Sequence, residues 1–361
     1  MRPLIVDLGR DYRGGQHQAL LLLRGLVARG HAPELITLCD SLLAHRATES
    51  GIIVHGVNAG CRRPAAVVLI RRLVRKKQVD IVHANEPHAL TSAWLARAHR
   101  SVPVIVSRRI ARPLSTNPFP LARYRAAARI VAVSQFVAKS VVASGLAADC
   151  VDVIYDGVEI PAAISEADRD RARKQFSISQ ENCCIGNVAA FVKEKGHELL
   201  VTAFAKLLPQ FPKCVLLLPG EGPEKNKLQE LVRRLGLEAA VKFPGFVQDV
   251  DSVYAATDLF VFSSHEEPLG SSLLAAMAHG LPVVAFARGG VPEVVEDGKN
   301  GLLVKEFDPV ALSAAITSLL SNAAEARWLG ETARENISSR FSADHMADAT
   351  LQLYERLVSR R

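Results

Sequence analysis

Two adjacent glutamates, Glu266 and Glu267, stand a few residues before a glycine and a pair of serines in the stretch SSHEEPLGSSLLAAMAHGLP, residues 263–282. A carboxylate in such a loop can grip hydroxyl groups. The free N–H groups of Gly270, Ser271, Ser272 and Leu273 at a helix start offer an anion a seat, because a helix begins with unpaired donors and the positive end of its dipole. A phosphate on the amides with hydroxyls on the carboxylate is therefore one chemistry this spacing permits. The other reading is purely structural, with the glutamates stabilising the helix N-terminus electrostatically.

The elements around this loop explain why it would be presented. Asp258–Ser263 and Pro282–Phe286 are short apolar runs of strand formers. Between them Ser271 or Ser272 can N-cap a helix through Met277, with Gly280 to stop it and Pro282 to prevent resumption. Strand, loop, helix, strand is the unit of a parallel sheet, whose ligands collect at the carboxyl ends of strands. The same alternation runs along the whole chain. Pro3–Leu8 reads as a buried strand, Gly9–Gly15 as a glycine loop in which Gly14 and Gly15 permit close backbone approach, and Gln16–Arg29 as a helix. Further strands are expected at 34–38, 51–57, 79–84, 102–107, 129–134, 150–155, 184–188, 215–218, 241–243 and 301–304. Helices are expected at 65–77, 89–97, 198–208 and 225–235, and two more close the chain. Residues 110–121, with three prolines, predict a loop, and the polar stretch Ser165–Lys174 predicts a hinge. The expected organisation is α/β, two Rossmann-like domains facing a cleft: residues 1–163, residues 164–340, and a C-terminal helix in 341–361 that crosses back to the first domain.

Composition narrows the function classes. The chain has 361 residues, 49% hydrophobic and 22% charged, with no apolar run near the ~18 residues that span a bilayer. Six cysteines lack paired metal spacing, and Cys183 and Cys184 are expected on opposite faces of one strand. No signal-peptide core opens the chain, so a cytoplasmic protein is expected. Residues 1–160 carry 22 Lys and Arg against 11 Asp and Glu, whereas residues 161–361 carry 22 against 26. Nucleic acid is not expected as a partner, since no aromatic interleaving or binding module accompanies the charge. Peripheral contact with an anionic membrane on its inner face, a phosphorylated acceptor, and a merely solvated face stay open. At strand ends of the basic half stand His88 and the pair Arg108 and Arg109. The histidine is structural or catalytic, and the arginines suit an acceptor or donor phosphate.

Taken in order, these motifs resemble the retaining GT-B glycosyltransferases of the group 1, family four type. Glu267 falls on the first acid of their donor signature, and Ala276, Met277, Ala278, Gly280 and Pro282 match its tail. Lys195, followed by Gly196, matches the lysine that neutralises the donor diphosphate. Gly14 and Gly15 match a double glycine near donor phosphate and acceptor. Gly245 with Phe246 resembles the base-contacting loop, and Gly220 lies in a neighbouring glycine turn. Departures are Ala275 in place of the second acid, Ala190 in place of an arginine, Pro268-Leu269-Gly270 in place of Gly-Phe-Gly, and no histidine after the strand at 102–107.

The resemblance implies transfer of a hexosyl-type sugar, with retention, from a nucleotide-diphosphate donor to the hydroxyl of a glycan or lipid-linked acceptor, as in lipopolysaccharide-type assembly. Lys195 and Glu267 would be the catalytic residues, and Gly14, Gly15, Gly220, Gly245, Phe246, Leu269, Gly270, Ser271 and Ser272 would bind the donor. No metal and no cofactor beyond the nucleotide sugar is expected. The leaving phosphate would take the acceptor proton. Two alternatives stand beside it: a degenerate protein that binds nucleotide or glycan without turnover, and a nucleotide-sugar epimerase.

Overall fold

The computed structural model describes residues 1–115 and 117–359. It divides into two compact units, one made of Met1–Gly157 with the segment from Ser342 onward, the other of Val158–Phe341. The first unit is built on seven parallel strands: β1 (Pro3–Val6), β2 (Glu34–Leu38), β3 (Ile53–Val57), β4 (Ile81–Ala84), β5 (Val104–Arg108), β6 (Arg129–Ala132) and β7 (Val151–Val153). Their order is β3-β2-β1-β4-β5-β6-β7. β1 and β4 are buried along their whole length, which is why both read as unbroken apolar runs: helices cover both faces of a parallel sheet. Val6 lies opposite Ala84, so the polar residues Asp7 and Asn85 leave the two strands side by side.

Helix Gly14–Ala28 packs Leu20, Leu23 and Leu26 into this core, and helix Ala343–Val358 adds Met346, Leu353 and Tyr354. Each such side chain contributes about 1.5–3 kcal/mol on leaving water. The Tyr354 hydroxyl meets His83 Nδ1 at 2.7 Å, tying the last helix to the middle of β4.

The second unit carries six parallel strands: β8 (Cys183–Gly186), β9 (Cys214–Pro219), β10 (Val241–Gly245), β11 (Leu259–Phe262), β12 (Val283–Phe286) and β13 (Leu302–Val304), in the order β10-β9-β8-β11-β12-β13. Cys184 enters one apolar cluster while Cys183 packs against another, so the neighbouring cysteines do face opposite sides of the sheet. β8 and β11 are paired, yet the chain leaves β8 toward β9 and leaves β11 toward β12. Such a reversal opens a crevice at the carboxyl ends of the two strands.

Several sequence expectations are corrected. The stretch Ser165–Lys174 is not a hinge but most of helix Glu166–Gln175, N-capped by Ser165. Its polarity misleads because Arg173, fully buried, donates to Asp258 at 2.6 Å and to the carbonyls of Ser179, Gln180 and Asn182. The expected loop at 110–121 ends in helix Pro118–Arg125, where proline stands in the first turn and costs nothing; Thr116 lies outside the described residues. Three helices, not two, close the chain: Pro309–Ser321, Ala323–Arg340 and Ala343–Val358. Arg360 and Arg361 also lie outside the described residues.

Candidate functional site

The crevice of the second unit is lined by the loops that follow β8 and β11. Hydrogen bonds stitch these loops together. Asn187 Nδ2 donates to the Val261 carbonyl at 2.7 Å, Ser263 Oγ to the Lys195 carbonyl at 2.8 Å, and the His265 amide to the Glu194 carbonyl at 3.1 Å. The approach is close enough to demand glycine. Gly196 has φ of 67°, and a Cβ there would sit 2.1 Å from the Ser263 carbonyl oxygen. On the other flank the Gly290 amide donates to the Glu267 carbonyl at 2.9 Å, and a Cβ on Gly289 would again fall 2.1 Å from that oxygen. Held from both sides, Glu267 accepts a hydrogen bond from Lys195 Nζ at 2.5 Å. The lysine side chain is 28% exposed and the glutamate side chain 13%, so the pair is partly open to an incoming ligand. Glu266 is exposed beside it.

Gly270, with φ of 108°, is the N-cap of helix Ser271–Ala278, and no side chain caps this end. Ser271 and Ser272 are therefore inside the helix rather than at its cap, because glycine supplies the left-handed turn into it. Their N–H groups belong to the unpaired first turn. Ser271 is exposed, whereas Leu269 is buried, so only the main chain of Leu269 is suited to a polar ligand. Ala275 lies one turn beyond Ser271 on the same half-exposed face.

A cavity of about 260 Å³ opens beside these loops, lined by Val188, Ala189, Ala190, Gly220, Phe246 and Val247 among others. The Gly220 amide donates to the Gly245 carbonyl at 2.8 Å, and a Cβ on Gly220 would meet the Ala189 carbonyl at 2.2 Å. Phe246 is 79% exposed at the rim. An apolar slot with an exposed ring suits a flat aromatic group. Ala190 supplies no cation at its wall. A larger cavity, about 620 Å³, lies against Gly196, His197, His265 and Phe307. His197 is buried with neither ring nitrogen partnered among the described residues. Burial, and then the nearby Lys195 charge, push its pKa down to about 4, so it is neutral at pH 7 and adds no charge beside Lys195.

In the first unit the polar residues at the strand ends are already engaged. Asn85 Nδ2 donates to Asp7 at 2.6 Å and to the Gly15 carbonyl at 2.9 Å. Arg109 gives Nε to Asp156 at 2.9 Å and Nη1 to Asn85 Oδ1 at 2.8 Å. Asp156 is buried, and burial raises its pKa against the opposing pull of Arg109. Arg108 is buried and donates to the Arg112 carbonyl. A phosphate at Arg109 would have to compete with Asp156. Gly14 and Gly15 are the first two residues of helix Gly14–Ala28 rather than part of a loop. Neither has positive φ, and a Cβ on Gly15 would meet nothing within 4 Å. Conformation and packing thus leave Gly15 unexplained, while clearance for a ligand at the helix start does not. His88 accepts a hydrogen bond from Arg63 and has a lowered pKa, through burial first and then Arg63, Arg62 and Arg123.

Sequence reading missed Asn187, Ser263 and Arg123. For Asn187 and Ser263 a signal existed: each is polar and closes an apolar strand run.

Residues 168–336 match the family model Glycosyl transferases group 1, and residues 12–160 match Glycosyltransferase Family 4. A lipopolysaccharide core biosynthesis glycosyltransferase of Rhizobium meliloti is 35% identical over 46% of this chain and 48% of its own length. Spore coat protein SA of Bacillus subtilis is 27% identical over 95% of both chains. The chain thus spans about half the length of the first of these relatives and nearly all of the second. Among solved structures, Anabaena HepE in complex with UDP-glucose superposes with a TM-score of 0.84 at 24% identity, covering 99% of this chain and 100% of that one. A Rickettsia africae glycosyltransferase superposes with a TM-score of 0.88 at 21% identity, over 100% and 99%.

Proposed function

We infer, from the matches to the group 1 and family four glycosyltransferase models along most of the chain, that this chain is a glycosyltransferase: it transfers a sugar from a nucleoside diphosphate to an acceptor hydroxyl. The observation that carries this reading is the meeting of Lys195 and Glu267 at 2.5 Å beside the uncapped start of helix Ser271–Ala278. The nucleobase occupies the slot rimmed by Phe246, with Gly220 and Gly245 giving it room. UDP is the first nucleotide to test, because HepE is solved with UDP-glucose.

The diphosphate lies between Lys195 Nζ and the amides of Gly270, Ser271 and Ser272, and Glu267 accepts hydrogen bonds from the sugar hydroxyls. As the bond between the anomeric carbon and the phosphate oxygen breaks, negative charge gathers on the nucleoside diphosphate. Lysine and fixed amides stabilise that charge without rearranging. The acceptor oxygen bonds to the anomeric carbon, and its proton passes to the departing phosphate, so no side-chain base is needed. Attack on the face the leaving group vacates gives retention. The charge stabilisation is supplied by these residues, which makes the transfer metal-independent. The acceptor is a glycan or lipid-linked glycan, as the lipopolysaccharide core biosynthesis name of one relative suggests. The excess of Lys and Arg in residues 1–160 supports docking on an anionic membrane face.

The test is incubation of the purified protein with a panel of radiolabelled nucleotide sugars and glycan acceptors. Labelled product that disappears in Lys195→Ala supports transfer. Binding of a nucleotide sugar, by thermal shift, with no product from any acceptor would mark a binding protein instead.

A further inference from the structure

Three arginines and a histidine converge in the first unit, and the one carboxylate beside them, Glu86, is engaged by the amides of Leu8, His88 and Ala89. Arg62 and Arg63 begin helix Arg62–Arg75, and His88 stands in the first turn of helix Pro87–Leu95. Arg63 Nη2 lies 2.5 Å from His88 Nδ1. Arg123, from helix Pro118–Arg125, donates to the Thr91 hydroxyl of the same helix as His88. All three guanidinium groups act on the charge of His88. Among the described residues none of the three pairs with Asp or Glu: Arg62 donates to the Leu8 carbonyl at 3.0 Å, and Arg123 Nε is buried without a partner.

The placement runs against electrostatics. Cations are disfavoured at the positive end of a helix, yet two arginines occupy the first turn of Arg62–Arg75. That turn holds no acid, and the residue before it, Cys61, gives no side-chain cap. The neighbouring helix start is different, since Glu86 accepts from the His88 and Ala89 amides there. The unfilled demand for negative charge is therefore at Arg62–Arg75. Several guanidinium forks match the oxygens of a phosphate. A monoester, with a charge near −2 at pH 7, answers more of the excess than a carboxylate or a diester can.

We propose that Arg62, Arg63 and Arg123, at the start of helix Arg62–Arg75 and beside it, bind a phosphate monoester. On the transferase reading, on which this last step rests, the ester belongs to the acceptor, so the acceptor is a phosphorylated glycan or a lipid with a phosphomonoester headgroup.

The experiment reads binding without turnover, so it stands or falls separately from transfer activity. Thermal unfolding is followed in the Lys195→Ala background, which weakens the other anion site, with inorganic phosphate or with potassium chloride at equal ionic strength. Phosphate well above its dissociation constant is expected to raise the midpoint by about 2–4 °C, and the rise is expected to vanish when Arg63→Gln and Arg123→Gln are added. An equal rise in chloride, or a rise that survives both substitutions, overturns the proposal. If the double variant unfolds too early to measure, Arg63→Lys keeps the charge without the fork. It should lose at least half of the rise, and retention of the full rise counts against the site. Vesicles containing phosphatidic acid or phosphatidylglycerol separate the sources. Retention on phosphatidic acid alone, lost in the double variant, puts the ester on a lipid. A response to inorganic phosphate with retention on neither puts it on a soluble acceptor. Equal retention on both lipids indicates diffuse charge and overturns the monoester assignment.

Discussion

Lys195 and Glu267, 72 positions apart in the chain, form an ion pair at 2.5 Å across the crevice between β8 and β11. A partly exposed pair of this kind adds at most about 1 kcal/mol to stability, so its geometry is better explained by what it can hold than by what it stabilises. A diphosphate would share the ammonium group with Glu267. Lys195→Ala is expected to leave circular dichroism unchanged and to lower turnover by roughly 10²-fold or more, the usual cost of one lost transition-state charge partner. A folded variant with near-normal turnover would remove Lys195 from the site.

Gly196→Ala should damage the same crevice from the main chain. Its methyl group would meet the Ser263 carbonyl at 2.1 Å in a left-handed conformation, a combination expected to cost about 2–4 kcal/mol. Trp94 and Trp328 lie one in each unit. In a Trp94→Phe background, Trp328 fluorescence should report a lower urea midpoint. An unchanged midpoint would mean that the loops have room to part.

Ala275 has no side-chain acceptor one turn inside the helix whose start is offered to the donor. Installing the acid, Ala275→Glu, is expected to tighten nucleotide-sugar binding by roughly 10- to 100-fold, the worth of one hydrogen bond to a charged group. Calorimetry with ribose and 2′-deoxyribose donors checks this: the gain should be confined to the ribose donor. Equal affinities for wild type and variant would show that this face of the helix does not meet the ribose.

His83 predicts a pH dependence. It is fully buried between the Tyr354 hydroxyl and the Ser107 hydroxyl, each at 2.7 Å. Burial, and secondarily Arg109, push its pKa down to about 3. The native imidazole stays neutral while the unfolded one takes a proton below about pH 6.5. The unfolded state therefore binds more protons, and stability falls as the pH drops from about 6.5 toward 3. Between pH 7 and 5 the loss from this group should be about 2 kcal/mol. It should be visible as a urea midpoint reported by Trp94 in a Trp328→Phe background, and it should be absent in His83→Gln. The same acid slope in His83→Gln would assign it to other groups.

The elements most legible in the sequence were those whose burial is uniform. β1, β4 and β12 lie inside covered parallel sheets, and their apolar runs identify them without any partner in view. Helix Glu166–Gln175 was not legible, because the burial of Arg173 depends on Asp258, 85 positions away. The candidate site divides along the same line. That loops rich in glycine and carboxylate follow strands could be read locally, as could Gly280 ending a helix with φ of 76°. That Lys195 meets Glu267, or that Arg109 is occupied by Asp156, depends on strand order, which no local pattern contains.

The first unit owes part of its core to Met346, Leu353 and Tyr354. On the ribosome, its first 157 residues emerge long before these side chains exist. At about 5–20 residues per second, they wait tens of seconds with the apolar faces of Leu20 and Leu23 incompletely covered and with His83 lacking its Tyr354 partner. The second unit, continuous from Val158 to Phe341, can close as soon as it is translated. The order of maturation is therefore the reverse of the order of synthesis. The nascent chain's period of greatest exposure to chaperones and proteases falls on the half that was made first.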